Sequence, residues 1–289
     1  MKNFRTLSNN PCPNTPTVTD IENNVYNTVQ IGNQCWMAEN MKTAKYADGQ
    51  EISSDKMFNP NDSVDNVATY GLLYTWSAAT RDSSTTYPAA GQVKVQGICP
   101  AGWHVPSDAE WDTLTRYVFS KDEYKCGDDC GEWQARRNVS CIAKALSSTT
   151  GWNSSDEPCT PGNNPSANNA TGFSAVPAGR FSDGDFNDFG DRTDFWSATH
   201  YDAYDAWCRR LYSDVSTVYR NANDRKDHGY SVRCLKDAEV PAAMSVTTDS
   251  ANTVTNNTAT LHGNVTNMGE YSEVYAGFKY GTSVSGIRG

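Results

Sequence analysis

The segment 201–225 is dense in side chains suited to gripping a ligand: Tyr201, Asp202, Tyr204, Asp205, Cys208, Arg210, Tyr212, Asp214, Ser216, Tyr219, Asn221, Asn223 and Arg225. Tyr offers rigid amphipathic area, Arg a planar fork of donors, and Ser and Asn adaptable hydrogen bonds. Strand alternation across 206–212 sets Trp207, Arg209 and Leu211 on one face and Cys208, Arg210 and Tyr212 on the other. The first parity is expected to be framework. The second mixes thiol, cation and phenol without packing logic and is expected to face a ligand.

A different chemistry is suggested by Asp183, Asp185, Asn187, Asp191 and Asp194, at offsets 1, 3, 5, 9 and 12 of a calcium-loop pattern. Asp188 stands where that pattern needs Gly, and offset 12 is Asp rather than the bidentate Glu. An Asn/Asp-rich turn is the favoured explanation of the spacing; structural calcium is an expectation to test, and no other cofactor is expected. The histidines, at 104, 200, 228 and 262, are scattered. No nucleophile–base arrangement is visible, so catalysis is not expected.

Positioning such side chains falls to a chain with 37% hydrophobic residues and a mean hydropathy of −0.66, yet with 8 Trp and 15 Tyr. That aromatic content argues for a folded core wrapped in polar loops rather than disorder. The net charge is −10 with no Lys/Arg cluster, which disfavours nucleic acid as a partner. No run approaches membrane-spanning length. Nine cysteines lack zinc spacing, the closest pair being Cys126 and Cys130, so disulfides in an oxidising space are the better reading. The odd count leaves at least one thiol over.

Residues 1–19 read as a tail punctuated by Pro11, Pro13 and Pro16. Short strands follow around Val25, Val29 and Ile31, before Gly32-Asn33, and at Cys35-Trp36-Met37. Residues 70–76 look buried. A helix begins at Ser107, with Glu110 as capping-box partner and Trp111, Leu114 and Val118 on one face. A weaker helix is expected over 135–146. Residues 151–190 read as ordered loop, and strand candidates recur at 195–198, 206–212, 218–220 and 230–235. Strands and few helices without βαβ alternation predict an α+β domain over 20–237. From 238 to 289 the texture becomes Thr/Val/Asn-rich, with alternation at Ala259, Leu261, Gly263 and Val265 and again over 274–280. That pattern resembles the opening strands of an immunoglobulin- or fibronectin-III-like sandwich, which needs roughly 100 residues, so the β segment is partial.

Six segments in order resemble the Fibrobacter succinogenes major paralogous domain, a family of bacterial surface and secreted proteins with a C-type-lectin-like fold. They are Cys35-Trp36-Met37-Ala38-Glu39-Asn40 with the residues just before it, 70–76, Cys99-Pro100-Ala101-Gly102-Trp103-His104 with the three that follow, 172–179, 195–199, and Gly229-Tyr230-Ser231-Val232-Arg233-Cys234. The resemblance implies a C-type-lectin-like, formylglycine-generating-enzyme-like domain closed by a Cys99–Cys234 bridge. Cys12–Cys35 and pairings among Cys126, Cys130, Cys141 and Cys159 are the remaining expectations, with Cys208 as the odd thiol. Formylglycine-generating enzymes use paired late cysteines; only Cys208 and Cys234 lie late here, so an oxidase is the remote reading. Calcium-dependent sugar binding is disfavoured, because Glu157-Pro158 runs into Cys159 and no Trp-Asn-Asp occurs.

The segment 201–225 also resembles the variable region of retroelement-diversified proteins, where randomised adenines in Asn codons cannot yield Glu, Gln, Lys, Met or Trp. Only Trp207 breaks that rule. The functional expectation is a receptor or adhesin binding a protein or glycan on a cell surface, displayed outside a bacterium or on a phage virion. A non-diversified structural module of a surface protein is the alternative. Residues 1–8 show no signal peptide, so either a leader was removed or replaced, or the protein leaves its cell by another route, as phage proteins do at lysis.

Overall fold

A computed structural model describes residues 10–81, 94–128, 130–133 and 138–237, and parts of the chain beyond, chiefly 245–248, 252–255 and 263–267. The chain divides into two compact units, Met1–Asp237 and Ala238–Gly289.

In the first unit, β1 (Thr17–Thr19) pairs antiparallel with β2 (Val25–Ile31), which turns at Gly32-Asn33 into β3 (Gln34–Met37). Gly32 has φ 63°, and a Cβ there would stand 2.9 Å from the Tyr117 ring, so both conformation and space require glycine. Residues 10–19, expected as a tail, are instead tied in: β1 is a sheet strand and Cys12 is bonded to Cys35. Residues 1–9 lie outside the described ones.

Next come β4 (Met57–Phe58), α1 (Val67–Tyr70), β5 (Leu73–Tyr74), which pairs with β4, and α2 (Trp76–Thr80). After β6 (Trp103–His104) comes the longest helix, α3 (Asp108–Phe119). Its capping box is complete: Ser107 Oγ accepts from the Glu110 N–H at 3.3 Å, and the Glu110 carboxylate accepts from the Ser107 N–H at 2.8 Å. Trp111, Leu114 and Val118 are buried as the spacing predicts. Ser107→Ala is expected to cost about 1 kcal/mol, read as a lower urea midpoint with unchanged slope.

The helix expected over 135–146 is confined to α4 (Ala143–Leu146), because β7 (Glu132–Trp133) and β8 (Asn138–Val139) form an antiparallel pair just before it. Cys141, bonded to Cys130, has φ 66°, which no right-handed helix accommodates. Lys144 anchors the loop after α4. Its ammonium donates to the carbonyls of Thr160, Asn163 and Asn164 and to Asn168 Oδ1.

The hairpin β9 (Arg180–Ser182) and β10 (Asp185–Asn187) leads into three long strands, β11 (Arg192–His200), β12 (Asp205–Tyr212) and β13 (Val215–Arg225). These continue through β8 and β7 in the order β11-β12-β13-β8-β7. The last strand of the unit, β14 (Leu235–Lys236), inserts between β3 and β6, completing the sheet β1-β2-β3-β14-β6. Leu235 faces both Trp36 and His104 in register. The two ends of the unit therefore share one sheet.

Cys99 is bonded to Cys234 across a sequence separation of 135, beside that closing strand. Two further bonds, Cys126–Cys159 and Cys130–Cys141, pin the loops near α4. Four disulfides belong to an oxidising compartment. Loop-closure entropy assigns a bridge of this span about 5 kcal/mol. Cys99→Ser with Cys234→Ser is expected to lower the melting temperature by more than any single helix cap, as calorimetry would record.

Two apolar clusters flank β11 and β12. Phe195 and Leu211 pack with Trp36, Trp111 and Phe173, while Trp196, Ala206 and Cys208 pack with Tyr26, Tyr74 and Tyr230. Strands covered on both faces are the middle of the domain, not its rim. The domain is predominantly β. No described helix is long and apolar enough to cross a membrane.

In the second unit, β15 (Ser245–Thr248) and β16 (Gly263–Asn267) pair antiparallel. Ala259, Leu261 and residues 274–280, where further alternation was expected, lie outside the described residues.

Candidate functional site

The segment 201–225 is the β12–β13 hairpin with the turn that precedes it, and its exposed described residues lie at its two ends. Asp205 pairs with Arg225 at one end and Tyr212 with Val215 at the other. Seven residue steps separate Asp205 from Tyr212, about 23 Å of strand. The single platform expected from sequence is therefore two separate patches.

Between them, the middle of β12 is buried. Cys208 has 0% exposure and packs in the core, so it is withdrawn from the ligand-binding residues. Its thiol lies 3.0 Å from Asp224 Oδ2, and burial with the neighbouring carboxylates Asp224 and Asp194 pushes its pKa well up. A protonated, enclosed thiol is a poor nucleophile. Arg210 is also committed inward, 2.5 Å from Asp194 Oδ1 and 2.7 Å from Asp224 Oδ1. The parity argument failed because alternation identifies faces without saying which is covered.

Two ion-pair networks explain why so many charges sit inside. In the first, Asp194 accepts from Arg192 at 2.6 Å as well as from Arg210, while Asp224 also accepts from Asn221 at 2.7 Å and the Tyr230 hydroxyl at 2.6 Å. Burial raises the Asp224 carboxyl, but Arg210 and the hydrogen bonds of Cys208, Tyr230 and Asn221 outweigh it and hold it below the ordinary range. In the second, Asp108 and Asp112 at the start of α3 each meet Arg209 at 2.7 Å. Asp108 additionally accepts from Arg220 Nε and Nη2, at 2.9 and 2.7 Å.

The second network reaches the surface. Arg220 lies over Trp207, its guanidinium carbon 3.3 Å from the ring centroid, and Tyr201 meets Trp207 edge-on at 5.3 Å. Trp207 and Arg220 are half-buried, whereas Tyr201 and Tyr204 are 52% and 79% exposed. Asp202 accepts from the N–H groups of Tyr204 and Asp205, both at 2.8 Å, fixing the turn, and Arg225 pairs with Asp227 at 2.5 Å. This patch holds Tyr201, Asp202, Tyr204, Asp205 and Arg225 from the sequence expectation. Trp207 and Arg220 were missed, Trp207 having been assigned to framework. The remote patch holds Tyr212 against Tyr219 at 5.9 Å, Asp214 exposed and Ser216 half-buried. Asn221 is turned to Asp224, and the Asn223 side chain lies outside the described residues.

The calcium-like residues do not converge. Asp183 sits in the β9–β10 turn, Asp185 and Asn187 are held in the extended strand β10, and Asp191 accepts from Ser213. Asp194 is consumed by two arginines. Among the described residues no group of three or more His, Cys, Asp or Glu is arranged to hold a metal ion. A strand keeps Asp185 and Asn187 about 7 Å apart along one extended face, whereas a calcium loop must curl its ligands to one centre. His104 is buried between Asp237 at 2.6 Å and Glu110 at 3.0 Å, a structural tie between β6, α3 and the chain after β14.

No curated protein and no solved structure matches this chain. A protein-family model does, the Fibrobacter succinogenes major domain, over residues 29–236. The matched span runs from within β2 to the end of β14, the stretch that the two sheets and the Cys99–Cys234 bond close into one unit. With well over half of its length matched, the chain belongs to the Fibrobacter succinogenes major domain family.

Proposed function

We propose that the first unit is a binding module on a C-type-lectin-like scaffold, displayed outside the cell or on a virion, and that it recognises a protein or glycan. The contact surface is the patch of Tyr201, Tyr204, Trp207 and Arg220 with Asp205 and Arg225. One observation carries the reading: exposed phenols stand beside an Arg–Trp stack that is braced from below by Asp108. Rigid aromatic anchors with a fixed guanidinium are what concentrated binding energy requires. The scaffold assignment is supported by end strands sharing one sheet, a disulfide beside the closing strand, and a second sheet reached through long loops. Diversification by a retroelement is supported only by composition, and the burial of Cys208 and Arg210 narrows the positions that variation would use.

The test is a combined glycan and protein array probed with the whole chain and with Tyr201→Ala/Tyr204→Ala. Saturable signal on particular features, lost in the double variant while its melting temperature holds, is the expected result. Signal that survives the double variant moves binding elsewhere, and a blank array favours a structural module. Sequencing the flanking DNA decides diversification: a reverse transcriptase and a near-repeat of codons 199–228 differing at adenines is the required finding.

A further inference from the structure

Among the described residues of the first unit, Arg192, Arg209, Arg210, Arg220 and Arg233 are buried or half-buried, and the first four have aspartate partners: Arg192 and Arg210 with Asp194, Arg209 and Arg220 with Asp108. Arg233 is the exception among the described residues. It has 0% exposure, yet every acceptor it meets is uncharged: the carbonyls of Phe173 and Ser174 and, at 2.6 Å, Asn40 Oδ1. The guanidinium lies over Phe173, 4.4 Å from the ring centroid, and Nε has no partner. Burial draws its pKa down to about 9, which still leaves it charged at neutral pH. An enclosed cation with no carboxylate in hydrogen-bond contact is costly, and the fold supplies such contacts from aspartates elsewhere.

Arg233 also lines a cleft of about 200 Å³, between Asn27 of β2, Glu39 and Asn40 just after β3, and the loop bearing Asn169 and Ser174. Asn169 Oδ1 accepts from the Ser174 N–H at 2.8 Å, which leaves the Asn169 amide group to donate. Glu39 is held by Asn27, through the backbone N–H and Nδ2, both at 2.7 Å. It acts on Arg233 only through space. The cleft shares no residue with the 201–225 patch.

We propose that this cleft is a second binding site, for a small ligand bearing one carboxylate, with Arg233 as the positive charge that attracts it and Asn169 and Ser174 the donors. A carboxylate answers the single positive charge. A dianion such as phosphate is disfavoured because Glu39 already places one negative charge in the cleft. The carboxylate comes from an acidic sugar or from an acylated amino acid; both present the same anion, and the probes separate them.

The test titrates the whole chain with glucuronate, N-acetylglycine, glucose and inorganic phosphate, each to about 20 mM, following melting temperature and heat of binding, since a ligand held by the native state alone stabilises it by mass action. A saturable rise with one carboxylate, and none with glucose, is expected; the better of the two carboxylates identifies the source. Glu39→Gln, at a half-buried position whose amide can still bond Asn27, removes the opposing charge and is expected to tighten binding about tenfold. Asn169→Asp is expected to abolish it. Arg233→Lys adds a direct test if it folds, but the other two variants suffice without it. No saturable response to either carboxylate in both wild type and Glu39→Gln overturns the proposal, as does equal response to phosphate. A blank array for the 201–225 patch would leave this result untouched.

Discussion

Asp194→Ala is expected to destabilise the first unit by about 3–5 kcal/mol, the cost of stranding buried charge. Asp194 is fully enclosed and receives Arg192 at 2.6 Å and Arg210 at 2.5 Å. Without it, Arg192 keeps only Asp188 at 3.3 Å, and Arg210 keeps only Asp224. The damage spreads because Asp224 also receives Cys208, Asn221 and Tyr230, so the change reaches β11, β12, β13 and the chain before β14. Urea unfolding at neutral pH measures it. Combining Asp194→Leu with Arg210→Met should recover only part of the loss, since Arg192 still lacks its nearer carboxylate and Asp224 then lacks its arginine. A drop below about 1 kcal/mol for the single variant would mean water reaches these arginines and the site is not closed.

The same networks set the acid limit. Asp108 and Asp224 both have carboxyls lowered by their arginines, Arg220 and Arg209 for the first and Arg210 for the second, against the upward push of burial. A group whose folded pKa is depressed binds its proton more readily when unfolded. Its stabilisation is therefore complete above the unfolded value, about 3.9, and is lost as pH falls through the lower folded values. Melting temperature should hold down to about pH 4 and then fall steeply, and Asp108→Asn should flatten that fall.

The scaffold was more legible than the site, and the reason is physical. Ser107 and Glu110 announce α3 because a capping box is a local hydrogen-bond exchange four residues long. Gly32-Asn33 announces its turn because backbone conformation there is set by the residues themselves. The Cys99–Cys234 bond followed from resemblance and not from any local pattern. What stayed hidden depends on what covers a strand. Alternation along β12 separates Cys208 from Trp207, but apolar clusters cover both faces there, and the partners that draw Arg209 and Arg210 inward, Asp108 on α3 and Asp224 on β13, come from elsewhere in the chain. The clue that was available is charge arithmetic. Two arginines side by side in a strand with an apolar residue on either flank need carboxylates, and Asp194 and Asp224 lie on the neighbouring strands. Likewise the cleft at Arg233 joins segments about two hundred residues apart, and no window of sequence contains it.

Trp207→Ala is expected to reduce array binding by about 30-fold or more, the loss typical of a central aromatic anchor. The argument rests on how the ring is held. Arg220 covers one side of it, Tyr201 abuts it, and Arg220 itself is locked by two bonds to Asp108. A ligand meeting this ring finds an anchor already ordered, so little rotamer entropy is lost on contact. Tyr204, at 79% exposure, has no such brace, and Tyr204→Ala should weaken binding less while leaving stability within about 0.5 kcal/mol. Arg220→Lys separates bracing from charge: lysine keeps the positive charge but neither stacks flat nor spans Asp108 with two nitrogens. If Arg220→Lys binds as weakly as Trp207→Ala, orientation of the ring is what matters. Should Trp207→Ala bind as wild type does, with Tyr201 and Tyr204 intact, the stack is a packing feature and the contact surface reduces to the β11–β12 turn.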